Sequence, residues 1–271
     1  MNTPSKAQIA AILGAIALFV LLFFARKTGA PESTKKSETA AKSDFSISHY
    51  IDSLKGTLDK KSLTLVEEQA AQTNSLAALD SLSKLWKGLN QPGIEAYYLQ
   101  EAALLQNKVS SWNKAGEALY KASRFAKEVA RPYFVTQAIE AYKSSLALDS
   151  TNLDTKVNLG VCYVESTQEP MKGIMLLREV AAKDSTNLNA QLNLGMFAVQ
   201  SGQYDKAIER FKRIVRMKPD YSEAYLYLGE TYANMGKKKE AIEALEMFKK
   251  LSNDETVVSE VTQYINQLKN S

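Results

Sequence analysis

A glycine recurs at a nearly constant interval in the second half of this chain. Gly160, Gly195 and Gly229 are separated by 35 and then 34 residues. Around each lies one copy of a common template, at residues 153–187, 188–221 and 222–255. A fixed period in this range marks stacked helical pairs, which bury their apolar faces only against their neighbours. The spacing therefore predicts an all-α repeat solenoid. A content of 12 Gly and 6 Pro in 271 residues agrees, because both residues interrupt helices.

Within residues 188–221 each recurring residue type has a physical role. Gly195 and Ala207 are small, so two helices can approach closely. Gly202 permits a tight turn between them, Phe211 fills the space between neighbouring pairs, and Pro219 ends the second helix. The third copy repeats the pattern with Tyr225, Leu228, Gly229, Tyr232, Gly236, Ala241 and Leu245. The first has Leu159, Gly160, Tyr163, Gly173 and Leu177, with one residue inserted near Pro170. This arrangement resembles the tetratricopeptide repeat (TPR), a helix–turn–helix unit of about 34 residues.

The resemblance covers residues 132–255. Upstream, residues 111–152 read as a degenerate copy whose first helix, about 112–130, is too long for the template. Residues 45–110 read as a helical region that admits a weaker unit after Gln91-Pro92-Gly93. Residues 256–271 carry Val257, Val261, Ile265 and Leu268 at helical spacing, which predicts a capping helix.

In this family the first helices line a concave groove where partner peptides bind. Carrying the groove positions over implies a peptide site at Val157, Asn158 and Val161, at Leu192, Asn193 and Met196, and at Tyr227 and Glu230. The same positions hold Glu165 and Glu223 but no Lys or Arg in the three clear copies, which disfavours an acidic chaperone tail. Asn158 and Asn193 can each donate to and accept from a peptide backbone. An extended or helical segment with apolar residues and a basic one is the implied ligand. Two alternatives stand beside it: the apolar positions serve the core, or the chain's own residues 45–58 occupy the groove.

The N-terminus adds a second element. Residues 7–25 (AQIAAILGAIALFVLLFFA) contain no charge, and as a helix would span about 28 Å, close to a bilayer's hydrocarbon core. A cleaved signal peptide has a shorter apolar run and a small-residue site, which Arg26, Lys27 and Pro31 make a poor fit here. The expectation is a short tail at 1–6, a single-pass transmembrane helix at 7–25 and a polar, flexible tether at 26–44. Positive charges after the run lean towards a cytoplasmic soluble part, whereas a signal anchor would export it.

Other chemistries find little support. The net charge of +4 is mild and the basic residues form no stripe of the kind nucleic-acid binding needs. Cys162 is the single cysteine and His49 the single histidine, so no intramolecular disulfide and no two-histidine zinc site exist. The stretch from Gly229 to Lys237 has six residues between its glycines where a phosphate loop needs four. No catalytic residue, metal, cofactor or small-molecule substrate is assigned. The basic residues Arg210, Lys212, Arg213, Arg216, Lys218 and Lys237 to Lys239 read as a solvated outer face, with anionic lipid as the alternative. The reading that results is a membrane-tethered scaffold binding protein or peptide partners. An accessory of secretion or envelope assembly is the alternative, and an enzyme the least favoured class.

Overall fold

The computed structural model describes residues 45–72 and 74–270. The expected transmembrane helix and tether lie outside the described residues. Among the described residues no helix is long and apolar enough to cross a membrane.

Thirteen α-helices, and no strand, make up the described residues. They are α1 (Ile47–Lys55), α2 (Lys60–Ala70), α3 (Leu76–Gly88), α4 (Pro92–Gln106), α5 (Val109–Phe125), α6 (Arg131–Leu148), α7 (Leu153–Ser166), α8 (Pro170–Lys183), α9 (Leu188–Gln200), α10 (Tyr204–Met217), α11 (Ser222–Asn234), α12 (Lys238–Leu251) and α13 (Glu255–Asn270). From α3 onward they pair as consecutive antiparallel hairpins, α3/α4 through α11/α12, each packed on the next. The thinnest of these inter-hairpin seams is the one between α8 and α9. Helix α13 closes the end by burying Val261 and Ile265 against Leu245 and Phe248.

Local chemistry sets the turns. The pentapeptide Asp-Ser-Thr-Asn-Leu occurs twice, at 149–153 and 184–188, and folds the same way both times. Asp149 and Asp184 accept from the backbone N–H of Thr151 and Thr186, each at 2.9 Å. Asn152 and Asn187 then cap α7 and α9, accepting from Thr155 and Ala190 at 2.9 Å. Inside the later hairpins Gly202 and Gly236 adopt φ of +73° and +72°. That conformation costs a side chain energy and suits glycine. The α7–α8 turn has no such glycine. There the Thr167 hydroxyl donates to Tyr163 O at 2.9 Å and accepts from Glu169 N at 3.0 Å, and Pro170 starts α8.

The four hairpins from α5/α6 to α11/α12 each close on a small residue. A Cβ built on Gly195 would meet the Phe211 ring at 2.5 Å, and one on Gly229 would meet Leu245 at 2.5 Å. Gly116 plays the same part beneath Tyr142, at 2.6 Å, so the contact has a fourth copy 44 residues before Gly160. Gly173 replaces the alanine found at Ala207 and Ala241, because its Cβ would lie 2.1 Å from the Gly160 carbonyl.

The hairpin α5/α6 departs from the template. Its helices have 17 and 18 residues, against 13 or 14 in α7 to α12. Gly116 is the eighth residue of α5, as Gly160, Gly195 and Gly229 are of α7, α9 and α11. Tyr142, however, is the twelfth residue of α6, whereas Leu177, Phe211 and Leu245 are eighth in α8, α10 and α12. The extra residues therefore sit at the end of α5 and the start of α6. They lift that connection about one helical turn, about 5 Å, beyond the neighbouring hairpins. The over-long first helix expected to reach residue 130 stops at Phe125, and Arg131-Pro132 begin its partner.

Candidate functional site: the inner face of the first helices

Successive first helices α5, α7, α9 and α11 approach one another more closely than successive second helices do. The closer-spaced row is the inner side of a curved stack, so these helices form the concave wall. Side chains bridge it. Thr155 Oγ1 donates to Asn113 Oδ1 at 2.8 Å, Asn158 Nδ2 to Glu117 Oε1 at 3.4 Å, and Tyr120 Oη to the Glu165 carboxylate. Three polar pairs thus join α5 to α7 along the groove.

The structure divides the eight expected site residues. Val157 is 2% exposed and packs among Leu177, Val180, Ala190 and Leu194, so it is a core residue and cannot meet a partner. Val161, Leu192 and Met196 are half-buried, each resting on the core with one side towards the groove. Asn158 is shared with Glu117, and Asn193 Nδ2 donates to Asn189 O at 2.8 Å. Tyr227 lies flat on Phe211, with ring centroids 5.4 Å apart and planes at 22°. Glu230 touches water, yet protein surrounds it on most sides, and this desolvation raises its carboxyl above the usual range. Contact with water together with loss of bulk solvation is what the floor of a concavity imposes.

Charge follows the wall. Among the described residues none of Glu117, Glu165, Glu223 or Glu230 has an ion-pair partner. Aromatic rings lie between them. The Tyr227 phenol is pushed up by burial and then by Glu230 and Glu223. That of Tyr264 is pushed up by burial and then by Glu230. Tyr264 belongs to α13, expected only to cap the stack, and so escaped the repeat template. Asn113, Glu117 and Tyr120 of α5 escaped it as well, since the 44-residue step hid their register. Helix α1 does not enter the groove. It packs on α4, a second helix, with Tyr50 Oη donating to Gln91 Oε1 at 3.3 Å.

Cys162 is fully buried, and burial pushes its thiol up to about 12. Among the described residues no cluster of His, Cys, Asp and Glu is arranged to hold a metal ion.

Residues 198–257 match the family model for the tetratricopeptide repeat. No curated protein matches the chain. Solved structures similar to it include the crystal structure of MamA protein, at 20% identity and a TM-score of 0.49, covering 66% of this chain and 92% of that one. YrrB, a TPR protein with an unusual peptide-binding site, is similar at 16% identity and a TM-score of 0.47, with coverages of 73% and 97%. The described residues form an all-α helical-repeat solenoid, of which residues 198–257 match the tetratricopeptide repeat.

Proposed function

We propose that this protein is a non-enzymatic scaffold whose concave wall binds a protein segment presenting a basic side chain beside apolar ones. The observation that supports it most is the row of carboxylates without ion-pair partners at Glu117, Glu165, Glu223 and Glu230, set among Tyr120, Tyr227 and Tyr264. A guanidinium or ammonium entering there gains the desolvated Glu230, further carboxylates and aromatic faces together. The half-buried Val161, Leu192 and Met196 supply apolar contact beside it. We further propose that residues 7–25 anchor the chain in a membrane, which raises the local concentration of the groove near the bilayer.

Photo-crosslinking from Tyr227 in the full chain, in native membranes, tests the groove. Glu230→Lys, and Asn193→Ala with Met196→Ala, are expected to reduce capture of the crosslinked partners about tenfold, the scale of one lost charge-assisted contact. Lys239→Glu, on the outer side, is expected to leave capture unchanged. Equal capture by all variants would sink the assignment.

A further inference from the structure

The overhang of α5/α6 carries an apolar surface that no helix covers. Phe125 at its tip is 71% exposed, the most of any large hydrophobic side chain among the described residues, and Val129 is 66% exposed. Around them stand Lys121, Arg124, Lys127 and Arg131, all exposed and without an ion-pair partner, against one carboxylate, Glu128. Between this overhang, α1 and the α3–α4 turn lies a cavity of about 870 Å³ whose lining mixes the apolar Phe45, Phe125, Val129 and Phe134 with Lys121, Lys127 and the Glu95 carboxylate.

The chemistry is that of an interfacial membrane contact. Apolar side chains project from the overhang and cations ring them, as anionic head groups require. The basic residues of α10 and α12 lack this combination. Arg210 is spent on Gln191 at 2.8 Å, Lys212 lies over the Tyr232 ring, and no large apolar side chain is exposed among them.

The chain's own geometry points the same way. Phe45, the first described residue, touches Tyr133 and Phe134 at the base of the overhang, with ring centroids 5.2 and 5.7 Å away. From there residues 26–44 lead back to the apolar run at 7–25. Nineteen residues reach at most about 65 Å. The proposed anchor is thus tied in sequence to this corner through residues 26–44.

We infer that the α5–α6 overhang is a second, peripheral membrane contact, in which Phe125 and Val129 enter the head-group region of an anionic leaflet and Lys121, Arg124, Lys127 and Arg131 pair with its phosphates. It rests on the proposed anchor for its position and on the patch for its chemistry. Such a contact fixes the orientation of the groove relative to the membrane, which a tether alone does not.

The full chain carrying Phe125→Trp, reconstituted in phosphatidylserine-containing vesicles with brominated acyl chains, tests this. Trp86 and Trp112 are buried, so wild type supplies a low background. Trp at 125 is expected to be quenched at least about threefold more than Trp at 175, introduced as Met175→Trp on α8, and to lose that excess at high salt or with Lys121→Glu and Lys127→Glu. Equal quenching at the two positions would overturn the contact. So would protection of Trp at 125 from both brominated lipid and aqueous acrylamide, which would mean that the chain itself or a second copy covers the patch. Flotation after alkaline washing reads the anchor separately. A chain that fails to float refutes the anchor, and quenching with the same protein added to preformed vesicles then decides the patch alone.

Discussion

At Gly195 the distance to Phe211 leaves no room for a methyl group, and the Phe211 ring is in turn the platform on which Tyr227 of the next hairpin lies. One glycine therefore governs two interfaces. Gly195→Ala is expected to lower stability by about 1–3 kcal/mol, the usual cost of overpacking a dense core, measured by chemical denaturation. Phe211→Leu in the same chain should recover part of that loss. Burial has a different consequence at Cys162, Tyr98 and Tyr133, whose acidic groups it pushes up to about 12. Unfolded, a thiol titrates near about 8.5 and a phenol near about 10. A raised folded value means that stability is intact below the unfolded value and falls as pH climbs towards the folded one. The denaturation midpoint is expected to stay level to about pH 8 and then decline. Cys162→Ala should remove the earliest part of that decline, and iodoacetamide should modify Cys162 only in denaturant.

Helices show where pattern reading succeeds. The 34-residue step, the glycines at Gly202 and Gly236 and the small residues at Gly195 and Gly229 are requirements of backbone approach and φ, which few residue types meet. Such positions are legible. The fourth glycine contact, Gly116 under Tyr142, was not, because extra residues at the end of α5, at the start of α6 and in their connection stretch the step to 44 while Gly116 keeps its place in α5. Groove residues were half legible. A template places a position on a helix face, but Val157, buried among Leu177, Val180, Ala190 and Leu194, shows that such a position can belong to the core. Tyr264 shows that a wall can borrow a residue from outside the repeats. Caps belong to this scale too. Asn187 accepts the Ala190 N–H at 2.9 Å, whereas Tyr221 at the start of α11 makes no side-chain cap bond. Asn187→Ala is expected to cost about 1 kcal/mol in thermal or chemical unfolding, and Tyr221→Ala no capping energy at all.

Over the whole stack, stability is a sum of hairpins and of the seams between them, since each hairpin meets only its neighbours. The N-terminal cluster joins α4 to α7 through Trp112, Phe134 and Tyr142. A separate cluster joins α9 to α12 through Phe211 and Ile214. Between them a smaller cluster of Val157, Leu177, Val180, Ala190, Leu194 and Phe197 holds the α8–α9 seam, the thinnest between hairpins. Val161 and Asn158 stand on one side of it and Leu192, Asn193 and Met196 on the other. The seam is expected to be the softest joint of the stack, a hinge in a curved spring. A ligand gripping both sides would act as a splint. Hydrogen exchange is expected to be fastest near this joint in the free protein, compared with the interiors of the flanking clusters, and to slow there when the groove is filled. Exchange that slowed only at α11 and α13 would instead confine the ligand to the C-terminal half, leaving the two halves of the spring free to bend.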